Sequence, residues 1–325
     1  MHLLIALVIG FASGLGTGLL GGLAHAQGFP SKPIRLVVPF AAGGLIDGSA
    51  RIIAPKLGEA LGQPVVVDNR PGAGGTIGMS EVARATPDGH TLLFAIESIA
   101  LAPHIYKKVG FDPEKDFAAV TQLLSVPNSF LVHPSVPVTN LAELAAYSKK
   151  EGGRLNAGSG GTGTAGHLGL ELLKMLSGAE FTHVPYKGAA PGMTDFLAGQ
   201  LQIFSVSTTM ASPHHRAGKA KILAVASPQR VAILPNVPTT AEAGYPNLLI
   251  TIWMGLLAPA GTSPSVIKQL HTASLASLND PANAKRFTDQ GLEIVGSSPE
   301  AFQKFVAAEN AKYRDIVTKA KVAVE

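Results

Sequence analysis

The sequence predicts an α/β protein built as two similar lobes with a cleft between them. Short apolar runs of strand character alternate with stretches of helical periodicity along most of the chain. Two Gly-rich segments, Gly43-Gly44 and Gly158 to Gly166, each follow a strand and open a helix, so each half carries its own strand-to-helix turn. A late apolar run, Thr251–Ala258, leads the chain back before three closing helices. In open α/β sheets ligands sit outside the carboxyl ends of the strands, which puts the candidate function on these turns.

Taken in order, Ile34–Phe40 is a strand by its apolar run, and Gly44–Leu61 is helical, with Pro55 expected to kink or break it. Val65–Asp68 is a strand, followed by the Gly-rich loop Asn69–Thr76 and a helix over Ile77–Ala85. Pro87-Asp88-Gly89 is a turn into a third strand, Thr91–Ala95, which ends at Glu97-Ser98. The second half reads as strand Asn128–Val132, helix Leu141–Lys149, the Gly-rich segment 156–167 and a helix to about Leu176. Strand Phe181–Pro185, helix Ala190–Ala198 and strands Leu201–Val206 and Ile222–Ala226 follow. The closing helices are Pro264–Leu278, Pro281–Gln290 and Pro299–Lys319. The expected division is residues 27–125 with 253–325 as lobe 1, and 126–252 as lobe 2.

Composition excludes several function classes. A chain of 325 residues, 46% hydrophobic and 15% charged, has enough apolar surface for two packed cores. Its net charge of +4 is spread without basic runs, which argues against nucleic acid as a partner. With no cysteine there is no disulfide framework, thiol nucleophile or Cys-bound zinc. Residues 1–27 carry no Asp, Glu, Lys or Arg, are apolar from Leu3 to Leu23, and close on Ala24-His25-Ala26. This reads as a secretory signal cleaved after Ala26, although Met1-His2 lacks the usual basic residue. An uncleaved anchor is the alternative, because the apolar length approaches the ~20 residues of a membrane span.

The turn Val38-Pro39-Phe40-Ala41-Ala42-Gly43-Gly44-Leu45-Ile46-Asp47 leaves the first N–H groups of its helix unpaired and aimed past the strand end. Two glycines let a ligand approach the backbone, so a small-anion site is one reading; an ordinary βα turn with Asp47 stabilising the helix start is the other. In the second half, Ser159, Thr162 and Thr164 add hydroxyls to a similar turn. Residues 158–163 and 161–166 both fit G-x-G-x-x-G, but no acidic residue ends a second strand about 20 residues on, as a dinucleotide site requires. There is no G-x-S-x-G elbow, and Ser265–Lys268 fits S-x-x-K without its companion motifs. His214-His215 is an adjacent pair with no nearby carboxylate, the pattern of a solvated loop rather than a metal site. His167 and His183 are read as structural hydrogen-bonding groups, with a ligand role as the alternative. Trp253 is read as a core or inter-lobe packing residue. Asp195, in a helix, faces either solvent or the cleft.

Several stretches together resemble one family. They are Pro39-Phe40-x-x-Gly43-Gly44-x-x-Asp47-x-x-x-Arg51, Asn69 to Gly75, Pro87-Asp88-Gly89-x-Thr91-Leu92-Leu93, Asp116-Phe117-Ala118, His183 to Gly188, Leu197 to Gln200 and Ala258 to Thr262. In this order they resemble the TctC/Bug receptors of tripartite tricarboxylate transporters, over essentially the whole chain after the signal. The resemblance implies a type 2-like periplasmic binding protein, each lobe a mixed sheet flanked by helices, without catalysis, cofactor or metal. It implies a small organic carboxylate as ligand and membrane permease subunits as partners, with the receptor acting as a monomer in the periplasm. Phe40, Ala41, Gly43, Gly44 and Asp47 would line the first seat, and Ser159, Thr162, Thr164 and His167 the facing loop, with Ser98 and Asp195 as further candidates. Leu45-Ile46 departs from the family's usual Pro-Thr and Val206 to Thr209 from its usual Asp-Asn-type polar pair, which favours a carboxylate with an apolar or neutral tail over an amino acid. A ligand-sensing module for a signalling partner, or a secreted α/β enzyme acting on a carboxylate, are the alternative functions.

Overall fold

The structure, a computed structural model, describes residues 28–319. The expected cleavage site after Ala26 lies outside the described residues.

The first strand, β1 (Ile34–Val38), is almost wholly apolar and buried, as a strand covered on both faces must be. Helix α1 (Leu45–Leu61) buries Ala50, Ile53, Ala54 and Leu57, the one-face spacing of an amphipathic helix, and ends on Gly62 in the left-handed region. It continues through Pro55 as one helix rather than ending there. Then come β2 (Val65–Asn69), a 3₁₀ turn at Ala73–Gly75, α2 (Thr76–Ala83), β3 (Thr91–Ile96) and α3 (Ser98–Ile105). The next strand, β4 (Phe117–Val132), has 16 residues. It is followed by α4 (Leu141–Lys150), β5 (Asn156–Ser159), α5 (Ala165–Ser177), β6 (Thr182–Pro185), α6 (Ala189–Leu197), β7 (Ile203–Ser207), α7 (Thr208–Arg216) and β8 (Lys221–Val225). The chain closes with β9 (Thr251–Pro259), α8 (Pro264–Asn279), α9 (Pro281–Asp289), β10 (Glu293–Ile294) and α10 (Pro299–Lys319).

The strands pair in the order β2-β1-β3-β9-β4-β7-β5-β6, with β10 and β8 also on β4. The strands β2, β1 and β3 are parallel, as are β6, β5 and β7, while β9 and β4 run antiparallel to their neighbours. This is the expected mixed α/β arrangement. One half of β4, Phe117–Pro127, pairs with β9; the other, Asn128–Val132, pairs with β7 and β8. The change of partner falls at Pro127, which has no N–H to donate, and the Asn128 N–H then bonds the Ile250 carbonyl at 2.9 Å. A proline inside an apolar run argues against a central strand, and for that reason sequence reading recovers only the second half of β4. Helices α3 and α7, each short and interrupted by one proline, are also absent from that reading.

The returning strand brings α8 and α10 back against the first half of the chain. Ser277 Oγ donates to the Ile53 carbonyl at 2.9 Å, locking α8 onto α1, and His104 at the end of α3 meets Asn310 of α10 at 2.7 Å. Trp253 of β9 is fully buried between Phe302 and Phe305 of α10, with ring centroids at 5.6 Å in each case. It is a core residue on the strand that pairs with β4 just before Pro127.

Candidate functional site

The first turn is held by side chains rather than by regular structure. Gly43 has φ +87°, a conformation L side chains rarely adopt, and Gly44 caps α1 in extended geometry. The Asp47 carboxylate, in the first turn of α1, reaches back to accept the Gly43 N–H at 2.9 Å and also accepts from Arg51 Nε at 3.0 Å. Asn69, at the end of β2, donates Nδ2 to Asp47 Oδ1 at 2.9 Å and to the Phe40 carbonyl at 3.0 Å, while Arg51 Nη2 donates to its Oδ1. Burial alone would raise the Asp47 pKa, but the Arg51, Gly43 and Asn69 hydrogen bonds together outweigh it and hold the carboxyl below its ordinary range. Asp47 is therefore occupied in shaping the loop. What the loop offers outward is backbone: Ala41 to Gly44 are exposed, and the first intrahelical bond is Gly48 N–H to the Gly44 carbonyl.

The loop after β2 folds against this turn. Gly75 lies so close to Pro39, Phe40 and Met79 that a Cβ there would stand 3.3 Å from the Phe40 ring. A Cβ on Gly74 would stand 2.6 Å from the Tyr106 hydroxyl, just past α3, so the bare backbone at these two positions lets three segments converge. Ser98, the first residue of α3, is buried, and its hydroxyl has no hydrogen-bond partner.

The facing turn, between β5 and α5, is internally braced. Ser159 is fully buried and its hydroxyl meets His183 Nε2 at 2.8 Å. The His183 ring stacks on His167, centroids 4.2 Å apart, and His167 Nδ1 accepts the Gly163 N–H at 3.3 Å. Thr164 caps α5, accepting the His167 N–H and donating to the Gly161 carbonyl at 2.8 Å. A Cβ on Gly166 would stand 2.5 Å from the Ser205 carbonyl oxygen, so α5 can begin against β7 only with glycine there. Of the predicted hydroxyls in this loop, Thr162 is the half-exposed one with no role in the bracing just described. Asp195 sits beside this loop through Tyr186, whose hydroxyl donates to it at 2.7 Å. Burial, then the hydrogen bond to Asp195 and its charge, pushes the Tyr186 pKa up to about 12.

Burial, then His167, pushes His183 down to about 3, so both stacked rings cannot charge together. A His with a lowered folded pKa stabilises the fold fully above its unfolded value of 6.5, and that contribution erodes as pH falls from 6.5 towards 3. In an NMR titration the His183 ring is expected to stay neutral from pH 8 down to pH 5. A midpoint near 6.5 would contradict this environment.

The two turns meet through α3. Glu97, between β3 and α3, accepts the Ala165 N–H at the start of α5 at 3.3 Å, and Gly163 lies next to Tyr106 and Ile105. The loop after β2, which packs on Phe40, and the β5–α5 turn with Ser159, Thr162, Thr164 and His167 thus both lie against the segment from Glu97 to Tyr106, which includes Ser98. Sequence reasoning had not selected Arg51, Asn69, Glu97 or Tyr186 as site residues. The i, i+4 spacing of Asp47 and Arg51 and the Asn69 that ends β2 carry part of that signal. His214 and His215 lie in the last turn of α7, where His215 Nδ1 accepts the Ile222 N–H at 3.3 Å. Among the described residues no three His, Asp or Glu could hold a metal ion.

The profile of the tripartite tricarboxylate transporter family receptor matches residues 49–322. The periplasmic binding protein BugD is 37% identical, with a TM-score of 0.83, 91% of this chain and 100% of that one being covered. Rpa4515 of R. palustris, solved with adipate, is 36% identical with a TM-score of 0.84 over 91% of this chain and all of its own. MatC from Rhodopseudomonas palustris, solved with bound malate, is 33% identical with a TM-score of 0.81 over 89% of this chain and all of its own. No helix among the described residues is long and apolar enough to cross a membrane.

Proposed function

The chain belongs to the tripartite tricarboxylate transporter receptor family, and from that premise we propose that it is a periplasmic receptor which captures a small organic carboxylate and delivers it to membrane permease subunits. The observation that supports this reading is the pair of glycine-built turns at the carboxyl ends of β1 and β5, with Glu97 and Tyr106 around α3 touching the second turn and the loop that packs on the first. The relatives solved with adipate and malate support a carboxylate as the ligand class. The Ala41–Gly44 backbone, with the Ser98 and Thr162 hydroxyls, would hold the acid. Asp47, Ser159, Thr164, His167 and Asp195 would keep the two turns in shape. Residues 27–125 and 253–325 would form one lobe and 126–252 the other, moving about Pro127 and Ile250. The protein would be exported, cleaved after Ala26, and act as a monomer that binds without turnover.

Calorimetric titration of the purified protein with a panel of small mono- and dicarboxylates tests this. A true ligand at 100 times its Kd is expected to stabilise the protein by about 2.7 kcal/mol, and mass spectrometry should recover it unchanged. Silence across the panel would overturn the carboxylate assignment, and a converted acid would point to an enzyme.

A further inference from the structure

One carboxyl beside the two turns is left half-satisfied by the protein itself. Glu97 is 2% exposed; its Oε1 accepts the Ala165 N–H from α5, and its Oε2 is buried with no hydrogen-bond partner. The neighbouring Ser98 hydroxyl is buried and unpartnered as well. Continuing the β1–β3 register places Ile96 level with Phe40, so Glu97 lies one residue beyond the first glycine-built turn. The start of a helix is where a ligand's own second carboxylate would dock. Here that place is filled by a side chain of the protein.

The charges around it oppose one another: Glu309 disfavours its ionisation and Lys312 favours it. From α10, Glu309 faces Glu97 with like charge, while Lys312 pairs with Glu309. Tyr313, also on α10, is buried within the field of both carboxylates, and Trp253 of β9 donates its N–H to Glu309 rather than to Glu97. On α5, His167 accepts from Gly163 and stacks on His183. Burial pushes the Glu97 pKa up to about 7, and Glu309 adds to it, against hydrogen bonds from its own N–H and from Ala165 and the attraction of Lys312. A second carboxylate brought to this seat above that pH would face an ionised carboxyl in a dry site, an arrangement that strongly disfavours both charges. A hydroxyl, amide or ammonium would instead supply the donor that Oε2 lacks.

We propose that Glu97 sets the ligand class of this receptor, selecting a small monocarboxylate whose far end donates a hydrogen bond to Oε2 and rejecting dicarboxylates. This rests on the carboxylate reading above.

The test is calorimetry on the full protein with length-matched sets of acids, such as hexanoate, 6-hydroxyhexanoate, 6-aminohexanoate and adipate, and their four-carbon counterparts. Wild type is compared with Glu97→Gln, which keeps an acceptor for Ala165, and with Glu97→Ser, all three checked for folding by melting. At pH 8 wild type is expected to prefer a donor-ended acid over the matching dicarboxylate by about tenfold or more, and both variants to reverse this by gaining the dicarboxylate. At pH 5.5, with Glu97 protonated, wild type should narrow the gap. A dicarboxylate bound by wild type at pH 8 as tightly as by Glu97→Ser would overturn the role of Glu97 and leave the receptor reading intact. If no acid binds wild type or either variant, the carboxylate reading fails and this inference with it.

Discussion

Asp47→Ala is expected to lower the affinity for the acid about a hundredfold or more and to destabilise the protein by ~2–4 kcal/mol. The side chain accepts from the Gly43 N–H, from Arg51 and from Asn69, and it lies beneath its own loop. Hydrogen bonds to an ionised group are worth about 1.5–3 kcal/mol each, and the share from half-exposed Arg51 is discounted for solvent. Without the carboxylate the Gly43 N–H and the Asn69 amide lose their shared acceptor. The Phe40–Gly44 turn must then be ordered by the ligand itself. If that ordering takes about 2.7 kcal/mol from binding, the loss is about a hundredfold. Asp47→Asn keeps an acceptor for Gly43 and should fall between the two. The carboxyl is held below its usual 3.8, so its stabilising contribution is complete above that value and is lost only as pH falls through the lowered one. Wild type should thus keep its advantage over Asp47→Asn at pH 5 to 8 and lose it in stronger acid. Calorimetry together with denaturation across that pH range checks both. An alanine variant that binds as wild type does would refute the bracing role.

Trp253→Ala is expected to cost about 3–5 kcal/mol of stability from the cavity alone. The indole is fully buried between Phe302 and Phe305, and its N–H donates to Glu309 Oε2 at 3.2 Å. Removing it also leaves that oxygen short of a donor in a buried site, which adds ~1–3 kcal/mol. Trp253→Phe keeps most of the volume and isolates the smaller second part. Denaturant midpoints followed by circular dichroism should rank wild type, Phe and Ala in that order. An Ala variant within about 1 kcal/mol of wild type would mean that β9 and α10 repack freely, contrary to the close-packed geometry.

The sequence makes the two glycine-built turns legible because their signals are local: a strand, then glycines, then a helix start. The Asp47–Arg51 pair is legible too, through its i, i+4 spacing. Glu97 is not. The sequence marks Glu97 only as the end of the third strand, and its burial is imposed by α5 and α10 from far along the chain. The Tyr186–Asp195 bond similarly depends on how the turn before α6 is folded. The first half of β4 is hidden by Pro127, since nothing local says that a proline falls where a strand changes partners. Trp253 shows the reverse: its apolar neighbours mark it as a core or inter-lobe packing residue, and it is fully buried.

The place of β9 in the strand order bears on how this chain acquires its fold. The strands β3 and β4 are not neighbours; β9, more than 100 residues later, lies between them. The pairings of β5, β6, β7 and β8 with one another and with the end of β4 involve only contiguous sequence, and that half can assemble early. The other half must hold open a slot with two apolar strand edges until Thr251–Pro259 arrives. Long-range closure of this kind is slow, and unpaired edges are sites of misassociation. Chains stopped short of residue 251 should therefore aggregate through the vacant slot, and the rate at which β9 inserts should limit refolding of the whole molecule.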